Sequence, residues 1–235
     1  MIEAHKRFRV NENLVTSDKV VFIFTALGTK IGGYKLFIRS LNKHGYSCVI
    51  YDYPMSLITD AETREWQACL DDVVADAKLR LARLSGDGVT DFSAHGSSMG
   101  TLFAGLLTQR APEISHTVLN LPYGDVAYSV FNSRPPRKAR ERFQKDGVSQ
   151  QKVAEALAYV DPIKTAPAFK GKKVLLYTSK RDGVLKYNDA KRTREALVKS
   201  GAQLTYVENK HLGHYSSGVK NILGMKRLVA FLKSK

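Results

Sequence analysis

Three residues far apart in the chain have the types and settings that nucleophilic catalysis needs. Gly96-Ser97-Ser98-Met99-Gly100 spells G-x-S-x-G between VTDFSAH and TLFAGLL, an apolar strand-like run and an apolar helix-like one. At a sharp strand-to-helix turn a serine is held in strained backbone geometry. The flanking glycines avoid clashes with strand and helix, and the helix start aims backbone N–H groups at a developing oxyanion. Ser98 holds the central place in the pattern, and its neighbour Ser97 competes for the role. A serine hydroxyl is a poor nucleophile unless a base takes its proton and an acid orients that base. Asp182 follows KVLLYT in Ser179-Lys180-Arg181-Asp182-Gly183-Val184, and two candidate bases, His211 and His214, follow the last strand-like run in His211-Leu212-Gly213-His214-Tyr215. Nucleophile, acid and base each come after the carboxyl end of a different expected strand, where open α/β sheets collect their sites. Asp182 also reads as a turn-forming Asp-Gly, and His214 as a surface histidine. Asp125 is a second candidate acid, and Asp52, ending SCVIYD, reads as structural. His211 and His214 have no carboxylate or thiol beside them in the sequence to complete a metal set, so no metal site is expected.

Positioning these residues requires strands that alternate with helices. Val20–Ala26, Ser47–Tyr51, Val89–Ala94, Thr117–Leu121, Lys173–Thr178 and Gln203–Val207 are short apolar or β-branched runs. Between them, Tyr34–Lys43, Glu62–Leu84, a stretch ending near Gln109, Asp189–Ser200 and Val219–Leu232 read as helices. In the longest, Trp66, Leu70, Val73, Ala77, Leu81 and Leu84 fall on one face, which makes Trp66 a core residue. The pattern predicts an α/β protein with a mostly parallel central sheet and helices on both faces. Residues 124–163 are too long for a simple crossover. With a basic run and a helical piece over Ser149–Tyr159, they read as an insertion at one edge of the sheet. Tyr128 and Phe131 in it would line a pocket or pack the insertion. Gly28 and Gly33 are spaced as in a P-loop, but Tyr34-Lys35 follows instead of Lys-Ser/Thr, so phosphate binding is not expected.

The 235 residues fit one domain with a full core, and 43% hydrophobic with 25% charged residues is an ordinary globular composition. No apolar run is long enough to span a bilayer, and Met1–Lys19 lacks a signal-peptide core. The reading is therefore a soluble, cytoplasmic protein without a transmembrane segment. Cys48 and Cys69 are no disulfide framework and read as reduced, buried apolar residues. The net charge of +15 is uneven: residues 1–133 carry 13 Lys/Arg against 14 Asp/Glu, whereas residues 164–235 carry 17 against 4. Such an excess suits anionic partners. The cations are not interleaved with aromatics and form no nucleic-acid motif, so nucleic acid is not an expected partner and the excess reads as surface charge.

From about Val20 to the C-terminus, these motifs resemble the α/β-hydrolase superfamily. The resemblance implies a single domain over residues 1–235, built on an eight-stranded, mostly parallel sheet. Residues 124–163 would form a short basic cap. The first two strands would come from around Arg7–Val10 and Val15. It also implies nucleophile Ser98, acid Asp182 and base His214, since the family's base sits in a Gly-His dipeptide such as Gly213-His214. The oxyanion would be held by the N–H of Met99 and by a second N–H from the loop Leu27-Gly28-Thr29, where the family's usual histidine is absent. Thr29 is the implied donor, or Lys30 if the register is one residue later. The implied activity is that of a serine hydrolase (esterase, thioesterase or lipase-like), cleaving a small-molecule carboxylic ester or thioester through an acyl-enzyme without a cofactor. An acyltransferase on the same triad is the alternative, and a non-catalytic relative used for binding is a third reading. Residues 134–145 hold Arg134, Arg137, Lys138, Arg140, Arg142 and Lys145 against Glu141. If they face the site they would favour an anionic substrate, and otherwise they are a solvated face. The oligomeric state is not encoded in any of these motifs.

Overall fold

The computed structural model describes residues 8–54, 63–132 and 137–234. Its strands are β1 (Arg9–Asn13), β2 (Lys19–Phe24), β3 (Ser47–Asp52), β4 (Asp91–Ser97), β5 (Ile114–Asn120), β6 (Lys173–Ser179) and β7 (Gln203–Asn209). They form one sheet in the order β1-β3-β2-β4-β5-β6-β7. All pairings are parallel except β1 with β3. The helices are α1 (Lys35–Lys43), α2 (Thr63–Gly86), α3 (Gly100–Arg110), α4 (Val126–Asn132), α5 (Arg137–Lys145), α6 (Gln150–Ala156), α7 (Tyr187–Lys199), α8 (His214–Leu223) and α9 (Met225–Leu232).

The inner strands are apolar along their whole length because both of their faces are covered. Along β2, Val20, Phe22 and Phe24 turn to the side packed by α2 and α3, while Val21 and Ile23 turn to the side packed by α1 and α9. Trp66, Leu70, Val73 and Ala77 of α2 are buried in the first layer, as their spacing requires. Phe37, Ile38 and Leu41 of α1 meet Leu228, Phe231 and Leu232 of α9 in the second. Cys48 and Cys69 are free and buried, and burial pushes the Cys48 thiol up to about 12, which keeps it protonated and unreactive.

The structure departs from the sequence reading in two places. Among the described residues the sheet has seven strands rather than eight. One N-terminal strand, Arg9–Asn13, pairs at the edge, with the Arg9 guanidinium forked onto Asp52 at 2.8 and 2.7 Å. Arg7, the expected start of that strand, lies outside the described residues. Val15 forms no ladder, because the Ser47 hydroxyl takes its N–H at 3.0 Å and reaches its carbonyl at 3.1 Å. The closing helix is two helices, broken at Gly224, and the first begins earlier, at His214. Glu62, the expected start of the long helix, also lies outside the described residues.

Residues 124–163 carry the helices α4, α5 and α6. They pack back onto the main core: Phe143 lies against Trp66 and Phe131, and the Gln67 side chain donates to Ala156 O at 2.7 Å. Tyr128 contacts Lys186, whose ammonium donates to its hydroxyl at 3.1 Å. Arg140 donates to Phe131 O at 3.0 Å, and Arg134 lies outside the described residues.

Candidate active site

The carboxyl ends of β4, β5, β6 and β7 bring together side chains that are up to 116 residues apart in the chain. Ser98 sits at the turn between β4 and α3 with φ 51°, a left-handed conformation that costs a side-chain-bearing residue about 1–2 kcal/mol. Its N–H donates to Asn120 O at 2.8 Å, and its own carbonyl accepts from Thr101 N–H at 2.9 Å and from the Thr101 hydroxyl at 2.6 Å. These bonds over-determine the turn, which is how a strained residue persists. The flanking glycines are steric requirements. A Cβ on Gly96 would enter the backbone of Gly100 and Thr101, and one on Gly100 would enter the carbonyl of Phe24. Gly100→Ala is therefore expected to cost at least about 3 kcal/mol in urea unfolding, because only backbone can give way. Gly105→Ala, in the same helix with 3.9 Å of clearance from Phe169, is expected to stabilise by about 0.5–1 kcal/mol. Equal effects of the two substitutions would refute this steric account of the turn.

His214 is the first residue of α8. Its Nε2 lies 3.1 Å from Ser98 Oγ and its Nδ1 lies 2.7 Å from Asp182 Oδ2. The second carboxylate oxygen of Asp182 accepts the N–H groups of Val184 and Leu185, both at 2.8 Å. The Asp-Gly turn and the carboxylate facing His214 are thus one structure: Oδ1 closes the turn and Oδ2 faces the imidazole. Both side chains are about 5% exposed, so the pair is shielded from solvent screening.

The competing residues are otherwise engaged or exposed; Ser97 borders the same cavity as Ser98. Ser97 ends β4 with its hydroxyl accepting from Asn120 Nδ2 at 3.2 Å. Asp125 caps α4, accepting Tyr128 N–H at 2.8 Å. Asp52 holds Arg9 and accepts Ile31 N–H at 2.8 Å, a structural role. His211 is exposed in the loop before α8.

The loop after β2 differs from the expected arrangement. Gly28 adopts φ 72° in a turn whose closing bond is Thr29 N–H to Ala26 O at 2.9 Å, so the Thr29 N–H is already taken. Leu27 and Thr29 both border the same cavity as Ser98 and Lys30 does not, but no acceptor among the described residues takes the Leu27 N–H. Met99 N–H, at the start of α3, likewise has no acceptor among the described residues.

A set of residues not singled out in the sequence lies beneath the site. Asn209 Nδ2 donates to Asn221 Oδ1 at 3.0 Å, and Asn221 Nδ2 donates to Asn120 Oδ1 at 2.8 Å. Asn120 Nδ2 in turn reaches Ser97 Oγ at 3.2 Å and Gly218 O at 3.3 Å. All three asparagines are buried. The chain of carboxamides ties the ends of β4, β5 and β7 to the inner face of α8, and so fixes the helix that carries His214. One signal for it was present: Asn221 stands seven residues after His214, on the same helix face.

Ser98 and His214 open into a cavity of about 330 Å³, bounded by Leu27, Leu121, Tyr123, Val184, Val219 and Ile222 among others. Among the described residues, no titratable acid or base other than His214 and tyrosine lines it, and residues 124–163 contribute nothing to its wall. Leu121, at the end of β5, is the second non-glycine residue with positive φ, at 59°.

No family model matches the chain, and no curated protein matches it in sequence. Solved structures do match in three dimensions. An esterase of Pyrococcus furiosus superposes with a TM-score of 0.65 over 93% of this chain and 82% of its own, at 18% identity. A lipase solved in an open form gives 0.69 over 96% and 93%, at 14% identity. The monoacylglycerol lipase of Paleococcus ferrophilus gives 0.61 over 95% and 99%, at 17% identity. The chain has the α/β-hydrolase fold. Among the described residues no helix is long and apolar enough to cross a membrane.

Proposed function

We propose that this protein is a serine hydrolase that cleaves a carboxylic ester or thioester with a neutral, apolar acyl group. The observation that carries the reading is the hydrogen-bonded line Ser98–His214–Asp182 opening into an apolar cavity. That the structurally similar proteins include an esterase and lipases supports the same reading. Ser98 Oγ attacks the carbonyl carbon while His214 Nε2 takes its proton, and Asp182 stabilises the resulting imidazolium. The carbonyl oxygen becomes an oxyanion held by Met99 N–H and by Leu27 N–H, the latter in place of the expected Thr29 N–H. When the tetrahedral intermediate collapses, His214 returns the proton to the leaving oxygen or sulfur. Water then gives its proton to His214 Nε2 and attacks the acyl-enzyme, which releases the acid and restores Ser98. An anionic acyl group finds no cation among the described residues of the cavity wall, so the charged-substrate expectation gains no support from them.

The first test is turnover of a short p-nitrophenyl ester together with labelling by a fluorophosphonate probe. Absence of both would refute the hydrolase reading.

Leu121 is proposed to set the acyl-chain limit. Its backbone strain places an apolar side chain in the cavity wall, 3.6 Å from where a Cβ on Gly218 would stand. Leu121→Gly relieves the strain and opens room for several methylenes. Each buried methylene contributes about 0.8 kcal/mol, or about fourfold in kcat/KM. In a p-nitrophenyl ester series the variant is expected to shift preference toward chains two or more carbons longer by about tenfold or more. An unchanged optimum would remove Leu121 from this role.

A further inference from the structure

Helix α8 is inside out. Its buried face is polar, with His214, Ser217 and Asn221, and its outer face carries Tyr215, Val219 and Leu223 at 75%, 57% and 62% exposure. The inner polarity is explained by the active-site line and the asparagine chain. On the outer face, Tyr215 and Val219 also border the cavity that holds Ser98 and His214, and Leu223 extends that face beyond it. Residues four apart on a helix are neighbours, so the three side chains form one stripe. The four other large exposed apolar residues, Leu14, Leu36, Leu79 and Val198, lie on separate elements and need no account.

The segment that carries the stripe is basic; the carboxylate beside it, Glu208, borders a groove with Lys210 and Lys220 and is paired with Lys180. Residues 209–235 contain Lys210, Lys220, Lys226, Arg227, Lys233 and Lys235 and no Asp or Glu. Lys220 and Arg227 border the groove beside the stripe together with Leu223 and Tyr177. Arg80 and Arg83, by contrast, pair with Glu12. None of Lys210, Lys220, Lys226 and Arg227 forms an ion pair among the described residues.

We propose that the outer face of α8 and the adjoining start of α9 form a docking surface for an anionic lipid interface. An apolar stripe flanked by cations that form no ion pair among the described residues matches the two attractions such an interface offers, acyl burial and negative surface charge. A second copy of the chain is disfavoured as occupant, because two such faces would oppose like charges. Continuity with the cavity favours lipid over an acidic protein. Tyr215 and Val219 border both the groove and the cavity holding Ser98 and His214, so an apolar chain passes from the surface into the cavity along a continuous apolar wall. This last link rests on the proposed hydrolase reading, whereas adsorption itself does not.

The test is co-sedimentation with vesicles of phosphatidylcholine alone and of phosphatidylcholine with about one-third phosphatidylglycerol. It uses the full chain and the inactive Ser98→Ala variant, whose binding separates this proposal from the catalytic one. Both proteins are expected to bind the anionic vesicles, to leave neutral ones largely unbound, and to be released as salt rises. Each basic residue near such a surface contributes about fivefold to partitioning, so Lys220→Glu/Lys226→Glu/Arg227→Glu is expected to weaken binding at least about 100-fold. Leu223→Asp is expected to weaken it at least about tenfold. These four residues line no part of the cavity, so turnover of a short soluble ester and the unfolding midpoint should stay near wild type. Absence of binding, equal binding to neutral vesicles, or anionic binding that survives both variants would each overturn the proposal. So would a concentration-dependent dimer, seen by sedimentation equilibrium, that Leu223→Asp dissolves.

Discussion

Ser98→Ala is expected to reduce ester hydrolysis by on the order of 10⁵–10⁶-fold and to abolish fluorophosphonate labelling, while leaving the unfolding midpoint nearly unchanged. The size follows from losing the only group in the line that can form the acyl-enzyme; residual rate comes from binding and oxyanion contacts alone. Stability should be spared because alanine meets the same backbone conformation as serine, and the bonds that hold the turn, Ser98 N–H to Asn120 O and Thr101 to Ser98 O, are main-chain groups of residue 98. Ser98→Gly should be equally inactive and slightly more stable, because glycine adopts φ near 51° without strain. Covalent labelling followed by peptide mass analysis reads the same question directly. An adduct on Ser97, or turnover that survives Ser98→Ala, would overturn the assignment of the nucleophile.

Asp182→Asn is expected to lower kcat by about 10⁴, the size found for the corresponding change in serine proteases. The geometry supplies the reason. Val184 and Leu185 N–H groups both need an acceptor at the Oδ1 position, so the carboxamide introduced by the substitution would keep its oxygen there. Its NH₂ would then face His214 Nδ1, which lies 2.7 Å from Oδ2 in the native protein. A donor at that place forces the imidazole proton onto Nε2, toward Ser98, and Nε2 can no longer take the serine proton. KM for a small ester should change little, since Asp182 does not border the cavity. Asp125→Asn is the control: Asp125 caps α4, and an asparagine caps a helix about as well. Greater damage from Asp125→Asn than from Asp182→Asn would reverse the assignment of the acid.

Both expectations rest on residues legible in the linear sequence, and the reason is local. The turn at Ser98 is specified by five consecutive residues whose glycines are sterically compulsory and the acid by an Asp-Gly turn; position after the last strand-like run leaves His211 and His214, and only the resemblance, through Gly213-His214, chose between them. The alternating apolar runs likewise decided a parallel sheet covered on both faces, because only strands buried on two sides are apolar at every position. What tertiary structure alone decided are matters of pairing at long range. Whether Val15 extends a strand depends on Ser47, 32 residues away, which satisfies its backbone instead. Whether the Thr29 N–H is free depends on a turn closed by Ala26 O, and the loop's sequence permits other closures. The buried asparagine chain joins three strand ends and one helix, and an asparagine in isolation carries no mark of its partner. The inverted polarity of α8 has the same origin. Read alone, its apolar stripe points inward; the hydrogen-bond demands of His214 and Asn221 in the folded molecule turn that stripe out to the surface.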